Sequence, residues 1–100
     1  MAETALFVID ASAALKWHFQ TEEGSQQAVD LKADYVSGRV SLIGPPHLPF
    51  EVANAIRQRV LLQQMTSEIG RQILIDFLAV RIPLLSPDGV VGVAYDLALR

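Results

Sequence analysis

Asp10 closes an uninterrupted apolar run, Ala5-Leu6-Phe7-Val8-Ile9, and that position gives its carboxylate a use. Such a run, with β-branched and aromatic members and polar flanks, reads as a strand buried on both faces. The carboxylate then emerges at the sheet rim with reduced water around it, where it could hold a divalent cation. Asp is also a favoured helix cap, and position alone leaves both roles open. Glu51 sits beside Phe50 and Ala53 to Ala55, neighbours that predict partial burial. A buried carboxylate needs a cation, a metal or strong donors. An exposed one at a helix start gains from the helix dipole, and spacing alone favours this second role. Asn54, one turn later, either holds the Glu51 carboxylate or caps a neighbouring loop.

The elements that must position these residues follow from pattern. Ser12 is the expected cap of a short helix over residues 13–19, and Glu22-Glu23-Gly24-Ser25 reads as a turn with a second cap. Ala28, Leu31, Tyr35 and Val36 then recur at helical spacing until Gly38. Val40 to Ile43 is a brief strand cut off by Gly44-Pro45-Pro46. Residues 48–65 carry the clearest 3.6-residue period, with Pro49 tolerable in the first turn. Thr66-Ser67-Glu68-Ile69 is an N-terminal capping signal for another amphipathic helix. Ile82 to Leu85 is a third short strand, Ser86 to Gly89 a turn, and residues 90–100 helical. This order predicts a parallel sheet covered by helices on both faces. Ligands gather beyond the carboxyl ends of such strands, which is where Asp10 lies.

One hundred residues support one domain and one core. Eight Lys plus Arg against eleven Asp plus Glu leave a net charge of −3, so any nucleic-acid contact must be local. With 51% apolar residues and a mean hydropathy of +0.31, disorder is excluded and an apolar partner surface is expected. The absence of cysteine rules out disulfides and thiolate metal sites and fits a reducing cytoplasm. No run approaches the roughly 20 apolar residues of a membrane helix, and Met1-Ala2-Glu3 lacks a basic leader, so a soluble cytoplasmic protein is expected.

Three segments together carry a family resemblance. Phe7-Val8-Ile9-Asp10-Ala11-Ser12-Ala13-Ala14-Leu15-Lys16-Trp17, then Glu22-Glu23-Gly24-Ser25, then Pro45-Pro46-His47-Leu48-Pro49-Phe50-Glu51-Val52-Ala53-Asn54-Ala55, resemble the opening of a PIN domain, with VapC-type toxin nucleases the closest match. The resemblance implies a three-layer α/β/α sandwich with a central parallel sheet, whose clustered acids bind Mg²⁺ or Mn²⁺ and cleave single-stranded RNA. It matches Asp10 to the family's first acid, Glu51 to its second, Ser12 to the small hydroxyl residue beside the first and Asn54 to the amide after the second. It further implies a cognate antitoxin whose helix lies in a hydrophobic groove, and a homodimer. Such a site suits phosphodiester cleavage: carboxylates fix the cation, which polarises the phosphate and lowers the pKa of the attacking water.

The family's third acid belongs to a motif like Tyr-Asp-Ala-x-Tyr. Tyr95-Asp96 fits superficially, but the following Leu97-Ala98-Leu99-Arg100 fits better the helix preceding that motif. Asp96 is therefore read as a surface residue, with a third metal ligand as the alternative. On that reading the family's last strands are missing and the first strand is left with an apolar edge. The sequence is then expected to be a fragment, a shortened frame or a domain completed by a partner. The alternative function is an inactive PIN-like module that only binds an antitoxin or itself. A receiver-like domain with Asp10 as phosphoacceptor would want a further acidic pair and a lysine after a later strand, which the sequence does not show. His18 and His47 are read as surface or packing residues, and Trp17 and Phe19 as packing rather than base-stacking aromatics. Lys16, Arg57, Arg59 and Arg71 are read as solvated charges with a local phosphate contact as the alternative, and Glu22 and Glu23 as turn charges with an outer-shell acid as the alternative.

Overall fold

The computed structural model describes residues 4–19 and 23–99, which form a mixed α/β fold. Strand β1 (Ala5–Val8) leads into helix α1 (Ala11–Lys16), then α2 (Ser25–Val36), strand β2 (Val40–Ile43), α3 (Leu48–Leu61), α4 (Ser67–Val80) and α5 (Pro87–Ala98). The two strands run parallel, with Ala5 opposite Val40 and Val8 opposite Ile43. Parallel neighbours need a crossover, and α1 and α2 supply it. The expected third strand contracts to one parallel bridge, Gly44 to Leu84, closed by Gly44 N–H donating to the Pro83 carbonyl (2.9 Å) and Leu85 N–H to the Gly44 carbonyl (2.8 Å). Pro83 has no N–H to extend that ladder.

Ile9, Leu42, Leu48 and Val52 are the most completely buried large side chains, so the core sits where the strand ends meet the start of α3. Ala14, Leu15 and Trp17 from α1 and its end, Ile56 from α3, and Ile73 and Phe77 from α4 complete it. Trp17 is 5% exposed and packs its ring 6.4 Å from that of Phe77, so it is a core residue.

Four further expectations are corrected. β1 is not buried on both faces: all four residues are exposed, Leu6 by 61% and Val8 by 72%, because only β2 flanks it among the described residues. Helix α1 begins two residues before the expected start, because Asp10 rather than Ser12 caps it. Helix α2 is capped by Gly24 in the left-handed conformation (φ +80°), and Ser25 is its buried first residue. The capping expectation at Thr66 holds, its hydroxyl accepting from Ile69 N–H at 3.2 Å. Helix α3 ends at Leu61, before the expected residue 65, where Gln63 turns left-handed (φ 60°). No helix among the described residues is long and apolar enough to cross a membrane.

Candidate functional site

Asp10 follows β1 by two residues with extended backbone (φ −105°, ψ 173°), the conformation an N-cap requires. Its Oδ1 accepts from Ala13 N–H at 2.8 Å, and its carbonyl accepts from Ala14 N–H at 3.1 Å. The side chain is exposed, and Oδ2 makes no hydrogen bond among the described residues. One carboxylate oxygen is thus spent on the helix, and the other is uncommitted among the described residues. A cavity of about 340 Å³ between α1 and α2 is lined by Asp10, Ser12, Lys16, Gly24 and Gln27 among others. Lys16 crosses its floor: a Cβ built on Gly24 would lie 3.3 Å from the Lys16 Nζ. The cavity therefore combines an exposed carboxylate, a hydroxyl, an ammonium and an amide, a set able to orient a polar, anionic ligand.

Glu51 lies in the first turn of α3 and is exposed, the helix-start role that spacing favoured, and the partial burial that its neighbours predicted is not found. Phe50, one of the neighbours on which that expectation rested, is itself 78% exposed. The Glu51 Oε1 meets His47 Nε2 at 2.5 Å, an i to i+4 pair at the helix start. Asn54 is exposed and its side chain makes no hydrogen bond among the described residues, so it neither holds Glu51 nor caps a loop. His47 takes the role that the sequence offered to Asn54. The signal was a titratable partner four residues before the acid, on the facing turn.

The parallel pairing of β1 with β2 brings the starts of α1 and α3 to the same end of the sheet, and α1 packs on α3. Asp10 and Glu51 thus both follow carboxyl ends of neighbouring strands. Ser12 shares the Asp10 cavity, while Glu51 and Asn54 are not among its lining residues. Asp96 is on α5, in a separate shallow hollow with Asp88 and Tyr95, in keeping with a surface residue. Glu23 is exposed; Glu22 lies outside the described residues. No group of three or more His, Cys, Asp or Glu that could hold a metal ion occurs among the described residues.

One feature escaped the sequence reading. Helices α3 and α4 enclose an open groove of about 570 Å³ whose charged lining residues are Arg57 and Arg71. His18, read from the sequence as a surface or packing residue, is half-buried, and its pKa lies below the ordinary 6.5, chiefly because burial penalises the imidazolium and secondarily because Lys32 is near. Its Nε2 and the Trp17 Nε1 are buried without hydrogen-bond partners among the described residues. Lys32 lies 5.6 Å from the Trp17 ring and Arg59 4.2 Å from the Phe19 ring, so the aromatics carry cations on their faces.

Compared with protein-family models, curated proteins and solved structures, the chain matches none.

Proposed function

We propose that this chain is a PIN-like, Mg²⁺- or Mn²⁺-dependent endoribonuclease acting on single-stranded RNA, the toxin partner of an antitoxin in the cytoplasm, built on the α/β/α plan. The observation that carries the reading is the arrangement of Asp10 and Glu51 after adjacent parallel strands, at the end where open α/β sheets bind ligands. The resemblance of the segments around both acids adds the reaction class.

The donor set agrees in kind with a hard cation, since Mg²⁺ is usually held by one or two carboxylates together with water and substrate phosphate. In number it is small, because no third acid joins among the described residues. Asp10, through its uncommitted oxygen, and Glu51 would be the protein's ligands. When bound, the cation supplies charge stabilisation at the phosphate and an activated water. Lys16 offers a cation for a neighbouring phosphate, and the Ser12 hydroxyl a donor or acceptor for the ribose or its phosphate. The His47 contact orients Glu51 in the absence of ligand and must loosen if both carboxylate oxygens are needed.

A second reading has its own observation. Asp10 is engaged as a helix cap and Glu51 by His47, so both acids already serve the fold. On this reading the chain is an inactive module that binds an antitoxin or itself. Incubating the purified chain with labelled single-stranded RNA, with and without Mg²⁺, separates the two. Metal-dependent cleavage abolished by Asp10→Asn and by Glu51→Gln supports the nuclease. Absence of cleavage from a chain that still captures a partner without metal supports the module.

A further inference from the structure

We propose that His47 and Glu51 form a two-donor site for a borderline transition cation of the Zn²⁺ class, distinct in chemistry from a Mg²⁺ site. His47 Nε2 lies 2.5 Å from Glu51 Oε1 across the first turn of α3. Both side chains are open to solvent, 62% and 47% exposed, so an ion reaches them without disturbing the core. Residues four apart at a helix start share a face, and an imidazole and a carboxylate held there converge on one point.

The bite suits a single ion. Two ligands of a tetrahedral Zn²⁺, each at about 2.0–2.1 Å, lie about 3.3 Å from each other. The pair therefore opens by less than about 1 Å to admit it, a small rotation about side-chain bonds. The backbone that carries the pair is stiff. Pro46 precedes His47 and Pro49 sits in the first turn, each fixing one φ. Glu51 N–H also donates to the His47 carbonyl at 3.0 Å. Little conformational freedom is left to lose when an ion ties the two side chains together.

The donor types choose the ion. Mg²⁺ is held by oxygen and keeps several waters, so an imidazole adds little for it, whereas imidazole suits Zn²⁺, Ni²⁺ and Cu²⁺. The positive end of the α3 dipole opposes any cation here, which favours the ions whose bond to nitrogen is strong. The chain has two histidines and no cysteine, and His18 has its Nε2 buried, so His47 is the imidazole that presents Nε2 to an incoming ion. Two protein ligands fall short of the three or four of catalytic and structural zinc sites, so water fills the remaining positions and the ion exchanges readily. Such a site fits a regulatory ion. On the nuclease reading, Zn²⁺ takes Glu51 from Mg²⁺ and slows cleavage; that consequence rests on the reading, whereas the binding does not.

The test is isothermal titration calorimetry of the whole chain with Zn²⁺ and, separately, with Mg²⁺, using circular dichroism to verify folding. Zn²⁺ is expected to bind at one site, at least about tenfold more tightly than Mg²⁺. His47→Gln and Glu51→Gln are each expected to weaken Zn²⁺ binding by at least about tenfold, and Asp10→Asn to leave it unchanged. Glu51→His sets a second imidazole at the same spacing and is expected to tighten Zn²⁺ binding, a gain that a misfolded variant does not give. A chain that takes up no Zn²⁺ overturns the proposal. So does Zn²⁺ binding that is indifferent to His47→Gln, or that is lost in Asp10→Asn. RNA cleavage in Mg²⁺ alone is read separately, so either the nuclease reading or this site can fail without the other.

Discussion

Asp10 carries two demands on one carboxylate, and two substitutions separate them. Asn is as good a cap as Asp, so Asp10→Asn keeps the Ala13 hydrogen bond and the helix start while removing the anion. Asp10→Ala removes both, and thermal unfolding is expected to show a loss of about 1 kcal/mol that Asp10→Asn does not share. Cleavage, if the nuclease reading holds, is lost in both. His18 gives a second prediction at this scale. Its pKa is lowered in the folded chain, so below the ordinary value of 6.5 the unfolded chain takes up a proton that the folded chain resists. Stability is therefore full above that value and falls as the pH drops from it toward the folded pKa. Urea titrations at neutral and mildly acidic pH are expected to show this decline, and His18→Gln to flatten it. What the sequence disclosed about the site was the placement of Asp10 and Glu51 at element starts, because capping and strand-end rules are local. Spacing also favoured an exposed Glu51, but its pairing with His47 and the exposure of Phe50 depend on which side of α3 meets the core, and Val52 and Ile56 rather than Phe50 face inward.

Gly70 sets the spacing of α3 and α4, the element pair that forms the open groove. A Cβ there would lie 2.9 Å from Ile56 Cγ2 and 3.1 Å from Val60 Cγ2, both β-branched side chains with little room to turn away. Gly70→Ala gains helix propensity but overpacks the crossing, and a net destabilisation of about 1–2 kcal/mol is expected by chemical denaturation. A gain in stability would mean that the helices part readily and the groove is pliable. The helices themselves were legible, since Thr66, Pro49 and the apolar period of α3 and α4 are signals within one turn or face. Strand burial was not. Ala5 to Val8 is apolar whether or not neighbours cover it, so composition reports a strand able to be buried rather than one that is. The third strand was overestimated for a related reason, because a β-favouring stretch beside Pro83 sustains only the bridge at Leu84.

The molecule has a radius of gyration of 15.0 Å, against about 13 Å for a compact chain of this length. Among the apolar surfaces it leaves uncovered are the stripe on α5 and β1, whose second edge is unpaired among the described residues. The two differ in hazard. The α5 stripe carries Asp88 and Asp96, whereas β1 has no charged residue, and a flat, uncharged apolar edge is a template for strand addition by other chains. A net charge of −3 supplies little repulsion against such growth. Val8 is 72% exposed, so Val8→Lys adds a charge to the edge strand without removing a core contact. Light scattering at a fixed concentration is expected to show aggregation slowed by about an order of magnitude, with dichroism unchanged. Aggregation that persists in Val8→Lys and disappears in Tyr95→Ala would instead assign the association to α5, and β1 would then be an edge that the twist of the short sheet already protects.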